Sequence, residues 1–143
     1  MTIRHKVSND TDVIYVRGEG RRLADTVGFS KADQTRIAIA VSELATNIVK
    51  YAGSGEISFD VEDDCLVVEA RDEGPGIKSI ENAFRDNWSD SKCLLDDDFI
   101  KHVGMGTGLP AVVRMMDDVQ VVETSSEGTV IRAVKRVDGN RSG

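Results

Sequence analysis

The stretch that decides the fold is residues 30–55, SKADQTRIAIAVSELATNIVKYAGSG. Its apolar residues recur every three or four positions, which is the period of one face of an α-helix: Ile37, Val41, Leu44, Ala45 and Ile48. Ser30 is a typical N-cap residue, and Asp33 lies in the first turn. The Gly53-Ser54-Gly55 segment is a typical C-terminal stop. The pattern predicts a helix from Ser30 to about Tyr51.

The segment before this helix predicts a strand and a second helix. Residues Ile3–Val7 alternate weakly and indicate an opening strand, and Asn9 or Asp10 can cap a helix after it. An apolar stripe at a spacing of 3.6 follows: Val13, Val16, Gly20, Leu23, Ala24 and Val27. Ile14 with Val16 also fits a strand, and Gly18 weakens a helix. We predict the helix.

The segment after residue 55 predicts the rest of the fold. The elements are strands at Glu56–Val61 and Cys65–Arg71, a helix at Leu109–Asp117, and closing strands at Val119–Thr124 and Thr129–Val137. Residues 77–107 are polar and irregular, which is typical of a functional lid or a mobile segment. Because the helices are grouped and the strands are joined by hairpins, we predict an α+β fold, a two-layer sandwich with helices on one face of a mixed sheet. We expect one domain over residues 1–137 and a disordered tail over 138–143.

Composition narrows the function classes. The chain has 143 residues, a formal net charge of −7 and no apolar run of membrane-spanning length. Nucleic-acid binding requires clustered Lys and Arg, so the negative net charge predicts no nucleic-acid partner. The lack of a membrane-spanning apolar run predicts no membrane partner. Cys65 and Cys93 give neither a metal-ligand spacing nor a disulfide framework. Because Met1–Ala24 carries charges throughout, we do not expect it to be a signal peptide. We expect a cytoplasmic protein that binds any phosphate locally, with backbone amides and a divalent metal.

The first motif is E-x-x-x-N on the central helix. Glu43 and Asn47 are four positions apart, so a carboxylate and a carboxamide share one helix face. An Asn oxygen with nucleotide phosphates can hold Mg²⁺, and a nearby carboxylate can orient or deprotonate a hydroxyl. Taken alone, this spacing is common on ordinary polar helix faces.

Two glycine-containing motifs follow. Asp72-Glu-Gly-Pro-Gly76 comes directly after a predicted strand, where Asp72 can accept a hydrogen bond from the exocyclic amine of adenine, although a simple turn explains the same residues. Gly104-Met-Gly-Thr-Gly108 runs into the helix that starts at Leu109. Glycine amides at a helix N-terminus bind anions, and the alternative is a flexible linker.

In this order the motifs, with Glu127-Gly128-Thr129, resemble the N box, the two glycine boxes and the Gly-Thr box of the GHKL ATPases. The resemblance covers about Ser8 to Val137. Residues 42–57 and 106–117 are most similar to the RsbT-type stressosome switch kinases and the anti-sigma factor kinases. The resemblance implies the Bergerat-type ATP-binding fold with a lid over the nucleotide. The segment 77–103 is longer than the lid of these relatives.

The resemblance implies a role for each matching residue. Glu43 is the catalytic carboxylate, Asn47 the Mg²⁺ ligand, and Asp72 the adenine-binding residue, supported by Gly76 and Thr129. A basic lid residue, Lys101 or His102, approaches the terminal phosphate. The full implied set of ATP-binding residues is Asn47, Asp72, Gly74, Gly76, Ile77, Lys101, Gly104, Met105, Gly106, Thr107, Gly108, Leu109 and Thr129.

The implied function is a serine/threonine protein kinase that uses ATP and Mg²⁺ and phosphorylates a STAS-domain partner in a partner-switching stress module. A PP2C-type phosphatase or a sigma factor is a further implied partner, and the resemblance allows a homodimer. Two alternatives stay open at this point: an anti-sigma factor, and a non-catalytic module whose partner affinity depends on nucleotide.

Overall fold

The computed structural model describes residues 2–73, 109–125 and 128–137. The predicted lid, residues 74–76 of the first glycine-containing motif, residues 104–108 and the predicted tail lie outside these ranges. The elements are β1 (Thr2–Val7), α1 (Asp10–Val27), α2 (Lys31–Asn47), a π-helical turn (Ile48–Ala52), β2 (Gly55–Glu62), β3 (Cys65–Asp72), α3 (Leu109–Met115), β4 (Asp118–Ser125) and β5 (Gly128–Arg136). Their order is the predicted one, and the α+β class is confirmed.

The five strands form one sheet in the order β1-β2-β3-β5-β4. All four neighbouring pairs are antiparallel, so the prediction of a mixed sheet is wrong for the described strands. The pairs β2–β3 and β4–β5 are hairpins, which can only be antiparallel. After β3 the chain leads through α3 to the edge strand β4, which runs in the same direction as β3. The β4–β5 hairpin then reverses the chain, so β5, which lies between β3 and β4, is antiparallel to both.

Helices α1 and α2 bury their apolar stripes against one face of this sheet. The buried residues of α1 are Val13, Val16, Gly20, Leu23 and Ala24, as the helical period predicts. Ile14 is 61% exposed, which agrees with helix rather than strand for this segment. In α2 the buried side chains include Ile37, Val41 and Leu44. No helix in the described ranges is long and apolar enough to cross a membrane.

The caps of the first two helices are those that the sequence predicts. Asn9 accepts a hydrogen bond from the Asp12 backbone N–H at 2.9 Å, and Ser30 accepts one from that of Asp33 at 3.1 Å. Because these side chains satisfy backbone donors that have no partner within the helix, they define where α1 and α2 begin.

Two helix ends differ from the prediction. The α-helical part of α2 ends at Asn47 rather than near Tyr51, because the chain widens into the π-helical turn, which the Gly53 N–H closes onto the Ile48 carbonyl at 2.9 Å. Helix α3 ends at Met115 rather than Asp117. Asp117 is instead held by β5: its N–H donates to the Val134 carbonyl, and its carboxylate accepts from the Arg136 N–H at 2.7 Å.

Candidate functional site

Asp72 is the last residue of β3 and lies on the helix-covered face of the sheet. Leu66, Val68 and Ala70 are buried and alternate along β3 with positions that are half-buried or exposed, and Asp72 continues this alternation at 9% exposed. Its neighbours in register are Gly55 of β2 and Thr129 of β5, and Thr129 is also buried. The predicted adenine residue and its supporting threonine are therefore side by side at one end of the sheet.

Glu43 and Asn47 lie at the C-terminal end of α2, one helical turn apart. Glu43 is half-buried, and Asn47 is 8% exposed. Among the described residues, the Nδ2 atom of Asn47 has no hydrogen-bond partner. A buried amide without a partner costs free energy, so this position suits a polar ligand that supplies one.

The end of α2 and the end of β3 meet at Gly55. A Cβ atom placed on Gly55 would lie 2.9 Å from Cγ2 of Ile48, the residue after Asn47, and 3.1 Å from Cα of Asp72. Only the short Gly55 backbone separates the two elements at this point. The structure therefore brings the two motifs, which are far apart in sequence, to the same end of the domain.

Burial makes the Glu43 carboxylate a better proton acceptor than an exposed one. Desolvation raises the pKa of the Glu43 carboxyl above its ordinary value of 4.5. A carboxylate is a better proton acceptor when its pKa is closer to the working pH. The local environment therefore agrees with the proton-accepting role predicted for Glu43.

The raised pKa predicts how a Glu43→Gln variant differs from the unmodified chain with pH. Between 4.5 and the raised value, folded Glu43 binds more protons than unfolded Glu43, so its contribution to stability falls as pH rises through this window. We expect the Glu43→Gln variant to gain in relative stability across the same window, because the amide does not ionise. Urea denaturation at a series of pH values measures the two curves, and parallel curves would contradict the prediction.

The remaining predicted residues differ in what the structure describes. Leu109 begins α3 and its side chain is buried in the hydrophobic core, so its nucleotide contact stays a prediction. The other predicted residues lie outside the described ranges: Gly74, Gly76, Ile77, Lys101, His102, Gly104, Met105, Gly106, Thr107 and Gly108. For these residues, the roles implied by the resemblance stay predictions.

The sequence did not predict the contacts of Gly55 and Gly128 with Asp72. The sequence indicates Gly55 as part of a helix stop and Gly128 as part of the Gly-Thr box. A Cβ atom on Gly128 would overlap the carbonyl oxygen of Asp72 and lie 3.0 Å from Cα of Glu73. The sequence signal that could indicate these contacts is a glycine opposite the aspartate at the end of a strand. This pairing can be recognised only when the strand register is known.

A cavity of about 490 Å³ also lies at this end of the sheet. Its lining includes Lys6, Glu56 and Arg71. Glu56 and Arg71 are register partners and precede or follow Gly55 and Asp72 by one residue, so they lie on the opposite face of the sheet. The side chains of Glu56 and Arg71 in its lining therefore lie on the face opposite Asp72 and Asn47, although Gly55 also lines the cavity.

The described residues fit a nucleotide with a divalent cation. Asn47 offers an amide oxygen to a cation and an amide N–H₂ to a phosphate oxygen, and its Nδ2 atom lacks a partner among the described residues. Asp72 offers a buried carboxylate that can accept from an adenine amine. Helices on one face of a five-stranded sheet, with these groups at one end, are the features that the sequence analysis leads us to expect of a GHKL-type ATP-binding domain.

The chain belongs to the Histidine kinase-like ATPase domain family, whose sequence pattern matches residues 7–135. It is 37% identical to the serine/threonine-protein kinase RsbT of Bacillus subtilis over 134 residues, which cover 91% of this chain and 92% of that protein. It is also 27% identical to the anti-sigma F factor of Caldanaerobacter subterraneus over 110 residues, 73% of this chain and 71% of that protein. The family predicted from the motifs is confirmed.

Two solved structures share the fold at low sequence identity. The SiaB–SiaC complex of Pseudomonas aeruginosa gives a TM-score of 0.66 at 13% identity, over 92% of this chain and 88% of the matched chain. The structure of the RsbU and RsbW domains of a Mycobacterium tuberculosis protein gives 0.64 at 14% identity, over 95% of this chain and 32% of that longer chain. These similarities support the fold.

Proposed function

We propose that this chain transfers the γ-phosphoryl group of ATP to a serine or threonine of a STAS-domain partner in a partner-switching module. The enzyme class, a serine/threonine protein kinase of the GHKL type, is the one predicted from the sequence, and the 37% identity to RsbT over nearly the whole chain confirms it. Use of ATP follows from the family. The cation, the partner and the residue roles are proposals.

The observation that carries the proposal is the placement of three polar groups at one end of the domain. Glu43 and Asn47 share a face at the end of α2, and Asp72 is buried at the adjoining end of β3. Glu43 suits the proton of an attacking hydroxyl, Asn47 suits a cation or a phosphate, and Asp72 suits the adenine ring. An ordinary polar helix face explains the first two groups but not their proximity to a buried strand-end aspartate.

In the proposed reaction the Asp72 carboxylate accepts a hydrogen bond from the adenine amine, with Thr129 beside it. Asn47 would hold Mg²⁺, which neutralises negative charge on the phosphates when it is bound. The partner's hydroxyl oxygen forms a bond to the γ-phosphorus as the bond from that phosphorus to the β,γ-bridging oxygen breaks. ADP leaves, and Glu43 accepts the hydroxyl proton. By the resemblance, Lys101 or His102 and the glycines of residues 104–108, which lie outside the described ranges, would contact the phosphates.

The partner proposal rests on the relatives. The similarity to RsbT and to anti-sigma F factors favours a STAS-domain substrate, and a PP2C-type phosphatase or a sigma factor is proposed as a second partner. A homodimer, a cytoplasmic location and a single domain over residues 1–137 stay predictions.

A phosphotransfer assay tests the proposal. The purified chain is incubated with γ-³²P-labelled ATP, Mg²⁺ and a STAS-domain protein from the same genome. We expect label on a partner serine or threonine that is stable to acid, as a phosphoester is. The Glu43→Gln variant is the matched control and should transfer little label. Acid-labile label would indicate a phosphohistidine instead, and full ATP binding without any transfer would favour the non-catalytic module.

A further inference from the structure

Asp72 lies between two glycines that the proposed reaction does not use. Gly55 is its register partner on β2, and Gly128 precedes its register partner Thr129 on β5. Gly128 approaches the main chain of Asp72, and Gly55 that of the adjacent Arg71, more closely than a residue with a Cβ atom can.

Two of the three contacts of Gly55 are with main-chain atoms, which cannot rotate away. A Cβ atom on Gly55 would overlap the carbonyl oxygen of Arg71 and lie 3.1 Å from Cα of Asp72. On its other side it would lie 2.9 Å from Cγ2 of Ile48. Because two of these atoms belong to the main chain of β3, a side chain at position 55 must displace the end of β3, the turn after Asn47, or both.

Gly128 closes the opposite side. Its φ is +145°, a conformation that L-residues with a side chain rarely adopt. A Cβ atom there would overlap the Asp72 carbonyl oxygen and lie 3.0 Å from Cα of Glu73. The main chain at Asp72 is therefore bounded by glycine on both neighbouring strands.

We infer that Gly55 and Gly128 are positioning residues that set the adenine specificity of the site by fixing the Asp72 main chain. The inference rests on the proposed function, in which the Asp72 carboxylate recognises the adenine amine. Hydrogen bonds weaken steeply as distance and angle depart from their optimum, so displacement of the strand end reduces recognition of that amine. Gly55 also sets the separation between Asp72 and Asn47, because Ile48 packs on its other side.

The test compares the dissociation constants for ATP and GTP, with Mg²⁺, in the unmodified chain and in a Gly55→Ala variant. We expect Gly55→Ala to weaken ATP binding about three- to tenfold and to lower the preference for ATP over GTP by a similar factor. Gly53→Ala is the matched control in the same loop. Gly53 has φ +86°, so alanine strains it, but nothing lies within 4 Å of its Cβ position. This control should lose stability and keep the ATP preference.

A double-mutant cycle with Asp72→Asn separates positioning from general destabilisation. If Gly55 acts through Asp72, Gly55→Ala should not lower the ATP preference further once Asp72 is asparagine. Equal ATP preference in the Gly55→Ala and Gly53→Ala variants, or additive losses in the cycle, would overturn the inference and leave the proposed function standing. Equal affinity of the unmodified chain for ATP and GTP would overturn both. Where Gly55→Ala is too unstable to assay, Gly128→Ala makes the same comparison from the β5 side.

Discussion

Replacing Glu43 by alanine should slow phosphotransfer to the partner by about 10²–10⁴-fold, the usual effect of removing a general base. ATP affinity should stay nearly unchanged, because Glu43 acts on the incoming hydroxyl rather than on the nucleotide. Single-turnover transfer of labelled phosphate measures the rate, and calorimetry with ATP and Mg²⁺ measures the affinity.

Glu56→Ala is the matched control for this variant. Glu56 lies on β2, on the sheet face opposite the helices, where its Oε1 atom is 3.9 Å from Nε of Arg4. Its loss should leave the transfer rate unchanged. Equal rates for Glu43→Ala and the unmodified chain would show that the Glu43 carboxylate is structural.

Asn47→Ala should affect both ATP binding and phosphotransfer, whereas Glu43→Ala should affect phosphotransfer alone. Asn47 is predicted to contact the cation and phosphates, so its loss should weaken both ATP binding and transfer. The comparison therefore separates a residue that acts on the hydroxyl from one that acts on the phosphates, although both lie on one face of α2. Identical effects of the two substitutions would contradict this division of roles.

Replacing Asp72 by asparagine should weaken ATP binding about ten- to a hundredfold, the loss of one charge-assisted hydrogen bond worth about 1.5–3 kcal/mol. The asparagine side chain presents a donor as well as an acceptor to the ring, whereas the carboxylate only accepts. GTP binding should change much less, because guanine lacks the amine at that edge. Titration with ATP and with GTP measures both constants.

Asp63→Asn is the control for charge. Asp63 is exposed in the turn at the other end of β3, and its φ of 47° is one that asparagine tolerates. The variant should bind ATP as the unmodified chain does. A loss for Asp72→Asn that is equal for ATP and GTP would show that Asp72 holds the fold at this end of the sheet rather than recognising adenine.

Local patterns in the sequence were enough to predict the elements and the residues for which catalytic and binding roles are proposed. The spacing of Ile37, Val41 and Leu44 predicted the buried face of α2, and Ser30 predicted its start. These signals come from residues within about four positions of one another, so a local interaction is enough to produce them. Glu43 and Asn47 share a face for the same reason. The order of the motifs was sufficient to predict the family.

Tertiary structure alone decided how the motifs meet. The pairing of Asp72 with Gly55 and Thr129, and the close approach of Gly128, depend on strand register, which is set by residues far apart in the chain. Ile48, which begins the π-helical turn after Asn47, is buried beside Gly55 at the end of the sheet, and no local pattern in α2 indicates this contact. Local periodicity specifies which face of an element is buried, but only the packed sheet specifies which residue lies opposite Asp72.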